Sequence, residues 1–291
     1  EVFIVDTDNA RVLRTDGEFK LLGTIEGFTW QGEQEHFSAP EGIAVTADRI
    51  YIADTGNRRI VALDRTGACV AVIGKPDTDV LAKDLQFEPR KLAADGKGRV
   101  YAVVKGVYEG IMELYEDGTF GGFVGSIPVK ADPLTLLWKS LLTKEQREKL
   151  ESFIPVEYTN LTLDPDGFLY TVSLAAEDQD ALRKLNAAGG DILVRSSLGN
   201  IPVGGVVDTA VGFPVGGKPS SLVDVAVGDD GIYYALDEEY GRVYAYDEEG
   251  DLLYVCGARS TGQNGTFPKA SALALLGTDL VVADSSTGTL T

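Results

Sequence analysis

The chain contains one histidine, His36, within "WQGEQEHFSAP" (residues 30–40). Imidazole acid–base catalysis, or a triad of nucleophile, histidine and acid, would have to use it. No serine or cysteine has a recognisable nucleophile context, and a lone loop histidine reads as structural or solvent-exposed. Cys69 and Cys256 offer neither metal-ligand spacing nor a disulfide framework, and read as small buried or strand-edge residues. The acidic runs Asp237-Glu238-Glu239 and Asp247-Glu248-Glu249 read as solvated turns. The polar cluster Asp54-Thr55-Gly56-Asn57-Arg58 lies between two apolar runs, so its carboxylate, amide and guanidinium could bind a ligand or turn a corner. With 45 acidic against 26 basic residues the net charge is −19, a field that repels nucleic acid and anionic lipid. No stretch approaches the roughly 18 apolar residues of a membrane span, so direct membrane insertion is not expected.

The elements that must hold these residues repeat along the chain. Val2 to Leu13 and Ile50 to Val61 share an apolar run, Asp, Thr, a turn residue, Asn, Arg and a second apolar run. Looser copies begin at Arg99, Phe168, Ile232 and Leu280. Another short apolar strand precedes every copy but the first, and another follows every copy but the last. Asp-Gly pairs such as Asp16-Gly17, Asp117-Gly118 and Asp230-Gly231 mark several turns. A unit of four antiparallel strands, a to d, repeated with short turns is what builds a β-propeller. At 291 residues with 34 Gly and 12 Tyr, one large all-β domain is expected.

"FSAPEGIAVTADRIYIADTGNRRIVALDRTG", residues 37–67, closely resembles the NHL repeat, and residues 2–23 match it well. The resemblance implies a single all-β domain over 1–291: a six-bladed NHL-type β-propeller of four-stranded antiparallel blades. The blades cover about 1–25, 37–74, 87–125, 155–196, 218–257 and 268–291. Val104 and Ser173 stand where Asp6, Asp54, Asp237 and Asp284 stand in the other copies. Both end fragments carry a strand b, so the chain is expected to continue at both ends, with upstream residues supplying a strand a for the first blade.

In such a ring the b–c turns and d–a connections share one face. The a–b and c–d turns here are short, whereas the d–a connections over residues 25–39, 75–89, 126–159, 197–219 and 258–269 are long, so elaboration is expected on one face. Residues 126–154 break strand periodicity. Asp132-Pro133 starts a helix with Leu134, Leu137, Trp138 and Leu141 at helical spacing, and Thr143 with Gln146 caps a second over 144–153. A two-helix insertion between blades three and four is therefore expected, with Trp138 packing it onto the propeller or anchoring a partner.

The fold also resembles, distantly, propeller lactonases of the gluconolactonase type, which hold a divalent cation in the central channel. That likeness implies ligands near Glu41, Arg90, Thr159-Asn160, Asp224 and Ala270-Ser271. Glu41, Asn160 and Asp224 could supply hard oxygen donors to Ca2+, while Arg90 and Lys91 would add positive charge and favour ion pairing. The favoured expectation is a non-catalytic domain that uses no cofactor. It presents Trp30, His36, Glu41, Arg90, Trp138, Asn160 and Asp224 around the elaborated face and channel mouth to a protein or glycan, as an extracytoplasmic part of a longer bacterial protein. The alternative is a metal-dependent lactonase or lyase.

Overall fold

The computed structural model describes residues 1–126, 157–174, 181–195 and 220–291. The insertion expected over 126–154, with Trp138, lies outside the described residues apart from Ser126, and no α-helix occurs among those described. The first sheet contains β1 (Val2–Asp6), β2 (Arg11–Thr15) and β3 (Leu21–Ile25). A separate hairpin follows, β4 (Gly27–Trp30) and β5 (Glu33–His36). The next two sheets are four-stranded: β6 (Gly42–Val45), β7 (Arg49–Asp54), β8 (Arg59–Asp64) and β9 (Cys69–Ile73), then β10 (Pro89–Ala94), β11 (Arg99–Val104), β12 (Ile111–Tyr115) and β13 (Phe120–Val124). After them come β14 (Tyr158–Leu163), β15 (Leu169–Ser173) and β16 (Leu182–Leu185). The last four-stranded sheet is β17 (Leu222–Val227), β18 (Tyr233–Asp237), β19 (Arg242–Tyr246) and β20 (Leu252–Cys256), followed by β21 (Ala270–Leu276), β22 (Asp279–Asp284) and β23 (Thr289–Leu290). Every pairing among these strands is antiparallel between chain neighbours.

The first strands of successive sheets, β6, β10, β14, β17 and β21, pack on one another in chain order. The core lies between sheets. Tyr51, Ile60 and Ala62 of one sheet meet Val100, Met112 and Leu114 of the next, and Tyr170 and Val172 meet Tyr233 and Tyr244. The second strands are therefore buried on both faces, which explains why "IYIAD", "VYAVV" and "YYALD" are continuous apolar runs and do not alternate. Tyr51 crosses one such layer to donate its hydroxyl proton to Glu116 Oε1 at 2.5 Å. Burial, reinforced by that carboxylate, holds the Tyr51 phenol above its ordinary pKa.

The polar corner is a clamp with long reach. Asp54 is fully buried, and its Oδ1 accepts from the backbone N–H of Ser38 at 2.7 Å, sixteen residues earlier; its Oδ2 accepts from Asn57 Nδ2 and Arg59 Nε. The Thr55 hydroxyl donates to the Pro89 carbonyl of the next sheet at 2.6 Å. Asp6 likewise accepts from Asn9 Nδ2 and Arg11 Nε, and Thr7 donates to Pro40 O at 2.7 Å. The recurring Asp thus closes its own sheet, and the following Thr staples that sheet to the next. Gly56 does not supply the positive φ that a turn glycine suggests. The left-handed residue is Arg58, just before β8, and Ala10, Gly241 and Gly288 take the same conformation just before β2, β19 and β23. Gly56 is glycine because a Cβ there would lie 2.6 Å from Ser38 O.

Two other expectations change. The d–a connection over 25–39 is largely the β4–β5 hairpin, which turns at Gln31-Gly32 with both residues at positive φ, the form a two-residue hairpin requires. Among the described residues of the fourth strand expected at "DILVRSS", the pairing is a single bridge, Leu185 to Asp191. There the Asp191 carboxylate accepts from the backbone N–H groups of Lys184 and Leu193, beside the Ile192 N–H bond to the Lys184 carbonyl.

Candidate functional site

Four of the five packed first strands carry a β-bulge at their start, in the intervals Pro89/Lys91, Tyr158/Asn160, Leu222/Asp224 and Ala270/Ala272. An extra residue on one strand re-aims the side chains that follow it. The register makes Arg90 equivalent to Thr159, and makes Lys91 the counterpart of Asn160 and Asp224. Sequence reasoning named both Arg90 and Lys91 here without choosing between them, and the bulge puts Lys91 in register with Asn160 and Asp224. The signal was the extra residue in "PRKLAA" relative to "GIAV", visible only once strand starts are aligned.

Glu41 and Arg90 form an ion pair, Arg90 Nε to Glu41 Oε2 at 3.6 Å, with both side chains partly exposed. Lys91 Nζ donates to the Glu41 carbonyl at 3.2 Å. Asn160 is buried, and its Oδ1 accepts from the Leu161 N–H at 2.9 Å. Asp224 is buried as well. Its Oδ1 accepts from the Val225 N–H at 2.8 Å, and its Oδ2 accepts from the Leu273 N–H of β21 at 2.7 Å, bridging two sheets. Burial pushes the Asp224 carboxyl up to about 6, partly opposed by the Lys91 ammonium and the two N–H donors.

Trp30 and His36 lie on the β4–β5 hairpin. Trp30 packs half-buried beside a cluster of Val12, Phe28 and Phe37. The His36 ring is exposed, with Nδ1 3.3 Å from the Glu26 carbonyl. The part of His36 that the corner uses is its backbone carbonyl, which accepts from Asn57 Nδ2 at 3.0 Å. Arg59 fixes the hairpin further, bonding to Glu35 and lying 5.0 Å over the Phe28 ring. The seven expected site residues therefore divide: Glu41, Arg90, Asn160 and Asp224 fall on or beside the first-strand starts, Trp30 and His36 on the hairpin, and Trp138 outside the described residues.

The channel mouth does not fit a divalent cation. Among the described residues no group of three or more His, Cys, Asp or Glu could hold a metal ion. The three oxygen donors are each engaged by protein groups, and Lys91 brings positive charge to Asp224.

The inner strands are also close. A Cβ on Gly42 would stand 2.3 Å from Arg90 O and 3.0 Å from Lys91 Cα. Gly42→Ala must part β6 from β10, and is expected to lower unfolding stability by about 1–3 kcal/mol, read from urea midpoints. An unchanged midpoint would show that this contact has slack.

No protein-family model matches the chain, and no curated protein matches it. Solved structures do. A catalytically inactive virginiamycin B lyase from Staphylococcus aureus with Quinupristin superposes with a TM-score of 0.58 at 10% identity, covering 99% of this chain and 75% of that one. The β-propeller domain of Myceliophteria thermophila Cps50 (Swd1) superposes with a TM-score of 0.53 at 9% identity, covering 99% and 94%. These likenesses, with the chain-ordered antiparallel sheets, make the fold a β-propeller. No helix among the described residues is long and apolar enough to cross a membrane.

Proposed function

We propose that this chain is a six-bladed, NHL-type propeller that binds a protein or a glycan through the face bearing its b–c corners and d–a connections. The observation that carries this reading is the β4–β5 hairpin. It is an added element outside the four-stranded units, and Arg59, Asn57 and Phe28 dock it firmly on the corner of the neighbouring sheet. A fixed platform with exposed Thr29, Glu33 and Gln34 at its tip is suited to recognition without chemistry. The same reading makes the chain a sensing or scaffolding domain of a larger bacterial protein outside the cytoplasm, using no cofactor.

The second reading, a lactonase or lyase, draws on the likeness to virginiamycin B lyase. The Glu41–Arg90 pair, together with the capture of both Asp224 oxygens by backbone N–H groups, weighs against it.

A glycan array, and a pull-down with the immobilised chain, should yield ligands that are lost when Thr29, Glu33 and Gln34 are replaced together by alanine. Retention of every ligand by that variant would sink the hairpin reading. Turnover of Quinupristin or a simple lactone by the chain with added Ca2+ or Mg2+ would favour the enzyme.

A further inference from the structure

Strand β20 differs from its counterparts. It is the outermost strand of its sheet, paired on one side to β19 in the register Val243 to Cys256 and Ala245 to Tyr254. Its other edge pairs with no strand among the described residues. The equivalent strands β9 and β13 end on buried side chains, Ile73 at 0% and Val124 at 8% exposure. In β20 every residue is exposed: Leu252 is 37%, Leu253 47%, Tyr254 46% and Val255 39% exposed, with Cys256 exposed beside them. Among the described residues the hydrogen-bonding edge is therefore open and both faces are partly exposed along five consecutive apolar residues, a configuration proteins ordinarily avoid. Tyr254 is hydrogen-bonded to Tyr234 of the same sheet.

One end of this strand is strongly acidic. The turn before β20 carries Asp247, Glu248, Glu249 and Asp251, and the turn at Asp229 and Asp230 abuts it, since a Cβ on Gly231 would lie 2.3 Å from Glu248 Oε1. We propose that β20 is a docking edge for an extended peptide, which adds to the sheet as a fifth, antiparallel strand with apolar side chains on both faces and Lys or Arg at its C-terminal end. Antiparallel addition continues the pairing of the whole sheet and brings that end against the acidic turns. A second copy of this chain is a poorer occupant, because each copy carries −19 and two copies repel one another as they approach. The edge lies at the propeller's rim, so the inference goes beyond the loop-face reading and stands without it.

The probe is a fluorescein-labelled peptide, Thr-Val-Tyr-Val-Thr-Val-Lys-Lys, titrated with the full chain and followed by anisotropy. Saturable binding is expected. It should weaken about tenfold or more in Leu253→Lys/Val255→Lys, because lysines on an edge block strand addition. Both positions are exposed, so the variant should keep the wild-type thermal midpoint. Glu248→Lys/Glu249→Lys should weaken binding at low salt and much less at high salt. A peptide with the two lysines moved to its N-terminus should bind more weakly. The proposal is overturned by no saturable binding, by equal binding to the edge variant, or by equal binding of the two peptides. A concentration-dependent dimer that the edge variant abolishes would also overturn it, giving the strand to a second copy.

Discussion

Replacing Asp54 with alanine is expected to destabilise the chain by about 3–4 kcal/mol, more than any other single substitution proposed for it. The carboxylate is fully buried and satisfies three donors at once: the Ser38 N–H, Asn57 Nδ2 and Arg59 Nε. Alanine leaves the Ser38 N–H without its acceptor and deprives Arg59, itself mostly covered, of one of two carboxylates. Because Arg59 also holds the hairpin, the loss should extend to β4–β5. Protease nicking near Gln31-Gly32 should therefore accelerate in the variant. Asp54→Asn keeps one acceptor oxygen and should fall between wild type and alanine. The internal control is Asp6→Ala, at a corner with the same Asn and Arg contacts but with 23% of its side chain exposed; it should cost no more than about 1 kcal/mol. Urea unfolding of the three variants decides the matter, and equal losses at Asp6 and Asp54 would show that burial does not set the value of this motif.

The second large effect depends on pH. Asp224 is held at about 6 when folded, against an ordinary value of 3.8, so the folded chain binds a proton more tightly there than the unfolded chain does. Its contribution is most favourable below pH 3.8, where both states are protonated. It is lost as pH rises through about 6, where the native state must carry a buried charge. The full swing is about 3 kcal/mol, since a tenfold difference in proton affinity between the two states corresponds to about 1.36 kcal/mol. Asp284 acts in the opposite sense and in a different window. Burial would raise it, but the Ser286 hydroxyl and the N–H groups of Lys269, Thr287 and Ser286 hold it down to about 2, so its contribution is lost only as pH falls below the ordinary carboxylate range. Between about pH 4 and 7 the Asp224 effect therefore stands clear of it. Asp224→Asn, which cannot ionise, should gain on the wild type by about 2 kcal/mol as pH rises from about 4 to 7. Parallel stability profiles for the two proteins would refute the assignment.

Much of this molecule was legible in the residue order. The period of the units, the four-strand grouping, the turn pairs and the Asp-Thr-x-Asn corner all follow from local rules, because side-chain alternation, turn geometry and short-range capping act within a few residues. The first and last sheets contain the strands read for them, β1 to β3 and β21 to β23. The loop-face hairpin was less visible. The d–a connection was read only as a loop, and the partners that hold the hairpin, Arg59 and Asn57, lie more than twenty residues beyond His36.

The channel mouth shows where local reading stops. That Glu41, Arg90, Asn160 and Asp224 lie at or beside strand starts was determined by the sequence alone, since each precedes or opens an apolar run. Which side chain takes the channel position depends on the bulge, and the bulge depends on pairing with the next strand and packing against the next sheet. Lys91 is thereby put in register with Asn160 and Asp224, and Asp224 accepts from Leu273, 49 residues away. The role of the Asp54 corner was decided in the same way. Its residue types announced a corner, but only the tertiary structure showed that Asp54 reaches Ser38 and Thr55 reaches Pro89. A hydrogen bond across sheets is set by how neighbouring sheets pack, and no spacing within the motif encodes it.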